Sequence, residues 1–294
     1  MSEKNESVIR RATGLLVIEA VNSNPNGDPD RESDPRTRPD RKGEISPVSF
    51  KRKLRDLLED KDGPTWQAIK TRFTPPLDAG KFEVLESRGR DREKVIQEAD
   101  KGTFLPKYWD ARVFGNTFLE KKASQHLATG VAQFGLGLSI APVAIERMTT
   151  TNKSGVQAGK DRGMAPLAYR VVEHAVYTMP FFVNASAARK TACTVRDIEV
   201  LLHLIPLAYS QTSSYIRTSV EIRHAWYVEH RSPLGSASDL ELIAALTPRK
   251  RERPGEPSKC WEDYEALEEL PEALKGKVAP LRDLMTEAYA AAGS

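Results

Sequence analysis

The chain has 294 residues, 39% hydrophobic and 29% charged, with a formal net charge of +3 at pH 7. This is the balance of a globular protein with a sizeable core, one large domain or two ordinary ones. No apolar run approaches the roughly 20 residues of a membrane-spanning helix, which excludes a helical membrane protein. Cys193 and Cys260 are too few for a disulfide framework and have no paired zinc spacing. With the polar N-terminus "MSEKNESVIRR", which has no secretory pattern, they predict a protein of the reducing cytoplasm.

In chain order, "GLLVIEAV" (14–21) predicts a buried strand. "NSNPNGDPDRESDP" (22–35) follows it as a polar, turn-rich loop. "SPVSFKRKLRDLLED" (46–60) predicts a helix, with Ser46 as N-cap, Pro47 at the first helical position and Leu54, Leu57 and Leu58 on one face. Residues 61–129 break into short helical pieces and predict an insertion, densest in aromatics at "LPKYWDARVFGNTF". "GLGLSIAPVAIERM" and "LAYRVVEHAVYTMPFFV" predict strands flanking a long polar excursion, "TTTNKSGVQAGKDRGMAP" (149–166), together an extended hairpin arm. "TVRDIEVLLHLIPLAYS" (194–210) predicts a second helix with a Thr194–Asp197 capping box and a break at Pro206. "VEIRHAWYVEH" predicts a last strand, "TPRKRERPGEPS" (247–258) a linker, and the remainder a helical tail. With insertion and arm set aside, the order is β-α-β-β-α-β. This predicts an α+β, ferredoxin-like fold, the arrangement also of the RNA recognition motif, whose open sheet face carries bases.

Chemistry is sparse. The "NSNPNGDPDRES" loop has part of a calcium-loop spacing, but Ser33 stands where a bidentate Glu is required and a strand precedes it. No phosphate loop, dinucleotide fingerprint or histidine triad is present, so neither cofactor nor metal is predicted. Basic residues concentrate between Arg31 and Arg55. Ser46, Lys51, Arg52 and Arg55 near a helix N-terminus suit phosphate, through free N–H groups and cations. A solvated basic helix face explains them equally. The 149–166 arm offers Lys153, Arg162 and an apolar Met164 that suits wedging between bases, or is a surface loop.

The run "NSNPNGDPD", then "PVSFKRKLRD", "YWDARVFG" and "IERMTTTNKS", between about residues 14 and 230, closely resembles the CRISPR-associated Cas-seven family, nearest to its type I-C and I-B branches. "DRGMAP" stands where type I-C relatives carry a basic patch, which leaves the subtype open. The resemblance implies a non-catalytic, RNA-recognition-like palm (8–60 and 130–231), a helical fingers insertion (61–129), a thumb hairpin (148–169), and a linker with helical tail (232–294). It implies that copies line up head to tail along a CRISPR RNA guide in a Cascade complex, which pairs the guide with a target DNA strand. The other partners would be a guide 5′-end subunit, a large subunit and a small subunit, with no membrane. Implied RNA-binding residues are Asn24, Asn26, Gly27, Ser46, Lys51, Arg52, Arg55, Arg112, Arg147, Met148, Thr149, Thr150, Lys153, Arg162, Met164 and Arg217. Two other readings compete: a guide-processing endoribonuclease on a related fold, using a histidine such as His224, and an RNA-binding protein that never polymerises.

Overall fold

The structure is a computed structural model and describes residues 8–87, 89, 91–116, 128–153, 164–266 and 269–292. The first part of the chain forms β1 (Ala12–Ser23), β2 (Lys42–Ile45) and α1 (Pro47–Glu59). The helical insertion follows as α2 (Pro64–Thr71), α3 (Arg92–Asp100), α4 (Phe104–Lys107) and α5 (Trp109–Phe114). Next come β3 (Gly115–Asn116), β4 (Ala128–Thr129), β5 (Ala132–Phe134), β6 (Gly137–Pro142), β7 (Ile145–Lys153) and β8 (Met164–Val183). Then α6 (Ala185–Thr191) and α7 (Val195–Leu204) precede β9 (Val220–Glu229). The last part holds α8 (Asp239–Leu246), β10 (Arg249–Lys250), β11 (Tyr264–Glu265), α9 (Glu272–Lys275), β12 (Arg282–Asp283) and α10 (Leu284–Ala292).

The fold is α+β around one antiparallel sheet of order β12-β9-β1-β8-β6-β2, with β5 and β7 also paired to β8. β1 is central, its Leu16 opposite Met179 of β8 on one side and Ala225 of β9 on the other. Because side chains alternate along a strand, Leu16, Ile18 and Ala20 enter the larger core with Phe50, Leu54 and Leu58 of α1 and Ile198 and Leu201 of α7. α7 begins with the expected capping box, in which Thr194 and Asp197 satisfy each other's backbone N–H.

Leu15 and Val17 point to the other face, and that face is not open. With Val176, Trp226 and Val228 they pack under Leu242 and Leu246 of α8 and under Tyr264, Leu270, Leu274 and Val278. These strands thus differ from the open, base-carrying sheet face of the RNA recognition motif. The apolar run "LLVI" (15–18), with no polar residue alternating in it, suits a strand covered on both sides. The supposed linker is folded as well. Lys250 Nζ donates to the carbonyls of Arg253 at 2.9 Å and Glu256 at 2.6 Å, and Arg251 N donates to Asp263 O. β12 then joins the sheet beside β9.

In the insertion, Leu85, Val95, Ala99, Phe104, Tyr108 and Ala111 form a small core of their own, while Trp109, Val113 and Phe114 reach the main one. Arg112, expected at the RNA interface, is only 5% exposed. Its guanidinium grips Asp197 at 3.1 and 2.7 Å and donates to the carbonyls of Leu105, Pro106 and Lys81 at 2.7–2.9 Å. All five of its N–H groups are thus spent inside the fold, a correction whose cause is a buried carboxylate 85 residues away. Removing one partner of such a pair strands a buried charge. Arg112→Ala should lower unfolding free energy by about 3–5 kcal/mol in chemical denaturation, and a loss below about 1 kcal/mol would contradict this placement.

Candidate nucleic-acid interface

The loop after β1 is built from the inside. Asn22 takes a positive φ of 44°, which Asn tolerates, and Asn24 N donates to Ile216 O at 2.7 Å. Asn24 Nδ2 donates to Ser33 O at 2.7 Å, and Asn26 Nδ2 to Gly27 O at 2.9 Å. Asn26 Oδ1 accepts the backbone N–H of Ser46 at 2.7 Å. Gly27 is bridged to Pro35, and a Cβ there would lie 2.9 Å from Ser33 O. The amides of Asn24 and Asn26, expected to face an RNA, are buried and turned into the loop, because so tight a turn must satisfy its own backbone groups.

The Asn26 contact fixes the start of α1. Ser46 is the N-cap, its Oγ accepting from Ser49 N at 3.2 Å, and Pro47 occupies the first turn. Phe50, Leu54, Leu57 and Leu58 face the core. The four basic side chains of the helix meet different fates. Arg52 donates to Asp56 at 2.6 Å and Glu59 at 2.7 Å and also bonds the Glu86 carbonyl, so its charge is answered within the chain. Lys53 is buried, its Nζ donating to Thr212 Oγ1 at 2.8 Å above the Tyr209 ring. Burial, reinforced by the nearby Arg217 charge, pushes its ammonium down to about 8. Arg55 donates to the buried Asp110 at 2.8 Å, and that carboxylate also accepts Leu85 N and Glu86 N.

Lys51 differs. It has no hydrogen-bond or ion-pair partner among the described residues, and its Nζ lies 5.6 Å from the centre of the Phe114 ring. Burial first, and the Arg55 charge second, hold its ammonium below the usual lysine range. It opens on a cleft of about 720 Å³ lined by Arg55, Phe114, Asn116, Thr129 and Gln133, with Val48 exposed one turn earlier. A desolvated cation with a like-charged neighbour and no counter-ion is a place for an anion.

The hairpin adjoins the loop. Arg170 of β8 pairs with Asp34, and Tyr169 meets Tyr215 with ring centres 5.3 Å apart. Arg147 lies opposite Arg170, Met148 opposite Tyr169 and Thr149 opposite Ala168. Arg147 and Thr149 are exposed and Met148 is half-buried. Thr150 lies opposite Leu167 and Lys153 opposite Met164 along the same ladder, whereas Arg162 lies outside the described residues. Arg217 donates to the carbonyl of Asn24 at 3.0 Å, clasping the loop from the segment before β9. Sequence reading missed Asp110 and Phe114, both inside the quoted "YWDARVFG", and Gln133, which no motif marks. His224 sits elsewhere. Its Nδ1 bonds Asp283 at 2.9 Å, its ring stacks on Trp226, and it lines a different cavity of about 780 Å³.

Asn26→Ala strips the Ser46 N–H of its acceptor. It should cost about 1–3 kcal/mol in thermal or chemical unfolding. Wild-type stability in this variant would show that the contact does not hold α1.

The family model for CRISPR-associated protein Cas7 matches residues 10–268. No curated protein matches the chain. Among solved structures, a chain of a "CRISPR RNA-guided surveillance complex, pre-nicking" superposes with a TM-score of 0.48 at 14% identity, covering 75% of this chain and 78% of that one. A chain of another "CRISPR RNA-guided surveillance complex" gives 0.42 at 15% identity over 79% and 75%. A chain of the "Type III-B Cmr-beta bound to cognate target RNA" gives 0.40 at 11% over 75% and 61%. With its match spanning nearly the whole sequence, the chain belongs to the family of CRISPR-associated protein Cas7.

Proposed function

We propose that the chain is a non-catalytic subunit that binds CRISPR RNA and polymerises along the guide as the backbone of a type I Cascade surveillance complex. The observation that carries this reading is Lys51, a half-buried cation without a counter-ion among the described residues, on a helix whose start Asn26 holds in place. A subunit that must accept any guide sequence grips phosphate and sugar rather than base edges. Lys51 offers donors of that kind, whereas at the start of α1 Pro47 has no N–H and the Ser49 and Phe50 N–H groups are spent on Ser46. Asn24, Asn26, Gly27, Arg55 and Arg217 position Lys51. Arg147, Met148, Thr149, Thr150, Lys153, Arg162 and Met164 are the proposed contacts of the hairpin.

The finer fold reading follows the same lines. The strand order β9-β1-β8-β6, with α1 after β1 and α7 after β8, supports a ferredoxin-like palm. Residues 61–129 are then the fingers and 148–169 the thumb. Identical copies related head to tail by a rotation that does not close give a helical filament. Its partners are the guide, the target DNA strand, further copies, and the 5′-end, large and small subunits, in a system nearest to type I-C or I-B. An endoribonuclease reading requires a base on the RNA path, and His224 lies in another cavity.

Filter binding of single-stranded RNA across a salt series tests the assignment. Lys51→Ala should weaken binding about tenfold and reduce the salt slope by about 0.7, the loss of one phosphate contact. Arg52→Ala should leave the slope unchanged, since Asp56 and Glu59 already neutralise it. An unaltered slope in Lys51→Ala would overturn the reading of this cleft. A bound phosphate raises the Lys51 pKa again, so the complex holds a proton that the free protein loses as pH rises. RNA affinity should therefore fall with rising pH before the ordinary lysine range of about 10.4 is reached, and Lys51→Arg should remove that fall.

A further inference from the structure

We propose that Gln133 accepts a hydrogen bond from a ribose 2′-hydroxyl and so makes the Lys51 cleft selective for RNA over DNA; this rests on the RNA-binding reading above. Gln133 is the middle residue of β5, between buried Ala132 and Phe134. It is opposite Phe182 in the register with β8, and the Phe134 ring stacks on Phe181 with centres 5.3 Å apart. The strand is therefore fixed in register, and alternation puts Gln133 on the face away from its two buried neighbours, where it lines the cleft.

Its amide is also fixed. Nε2 donates to Gly130 O at 3.0 Å. A carbonyl oxygen only accepts, so the amide cannot be reversed without setting two acceptors against each other. Gly130 packs closely on the backbone of Phe114, since a Cβ there would lie 2.1 Å from the Phe114 carbonyl carbon. No donor engages Oε1 among the described residues, and Gln133 lines the cleft.

The chemistry of the occupant follows by elimination. Lys51 is a donor only and suits phosphate oxygens. A phosphodiester has no proton to give to Oε1. Base edges donate, but in a pattern that changes with sequence. The ribose 2′-hydroxyl is the one donor that every RNA nucleotide carries and DNA lacks. It lies within the same nucleotide as the adjoining phosphate, so one cleft of about 720 Å³ accommodates both groups.

The test compares three single strands of one sequence: RNA, DNA, and 2′-fluoro RNA, which keeps the RNA sugar shape but cannot donate. Wild-type protein should bind RNA about five- to tenfold more tightly than either other strand, the worth of one hydrogen bond. Gln133→Met should bring the three affinities together through a loss on RNA alone, with the salt slope unchanged. If 2′-fluoro RNA binds wild-type protein as RNA does, the proposal is wrong even if the variant does not fold. It is equally wrong if Gln133→Met weakens RNA and DNA alike, or if it leaves the RNA-to-DNA ratio intact. In each of those cases a flattened salt slope in Lys51→Ala would still uphold the underlying reading, whereas an unaltered slope there would sink both.

Discussion

β1 has no solvent side. Leu15 and Val17 on one face and Leu16 and Ile18 on the other are all fully buried, and β8 and β9 occupy both its edges. Each such side chain is worth roughly 1.5–3 kcal/mol in burial, so neither layer can be lifted from the strand cheaply. The consequence is functional. A polyanion cannot lie over β1 without displacing α1 and α7 on one side or α8 and the segments behind it on the other. Contacts to a nucleic acid are thereby pushed to the margin of the sheet, where the loop after β1, the start of α1 and the base of the hairpin meet.

At that margin two buried carboxylates do the fastening. Asp110 holds Arg55 and two backbone N–H groups, and Asp197 holds Arg112 while capping α7. Such pairs add little net stability over an apolar pair, but breaking one is costly, so they fix which elements meet. Asp110 joins α1 to the insertion and sets the mouth of the cleft. Asp197 joins the insertion to α7. With Arg55 committed to Asp110 and Arg52 to Asp56 and Glu59, Lys51 is the basic residue of this helix flank whose charge is unanswered among the described residues.

Local signals were legible in the sequence where one element settles them. The strand at "GLLVIEAV", the Ser46 cap with Pro47, the leucine face of α1 and the Thr194–Asp197 capping box each depend on residues a few positions apart. The cover on the second sheet face was not legible. Its apolar residues are scattered over short pieces, such as Leu242 and Leu246 in an eight-residue helix, and Leu270 and Leu274 beyond a charged run. Their meaning appears only once β1 demands a partner for Leu15 and Val17. The site divides in the same way. The types of the basic residues on α1 were evident, but which of them keeps its charge depends on acids 4 to 55 positions away. The family resemblance implied RNA contact by the loop asparagines, whereas their hydrogen bonds assign them to shaping the loop that supports Ser46.

The most direct measurement is a structure of the chain with a single-stranded RNA bound. The account predicts a phosphate within hydrogen-bonding distance of Lys51 Nζ, the Arg55–Asp110 pair intact, and α8 still seated over Leu15 and Val17. RNA bases stacked on the β9-β1-β8 face with α8 displaced, and Lys51 left without a phosphate, would contradict it.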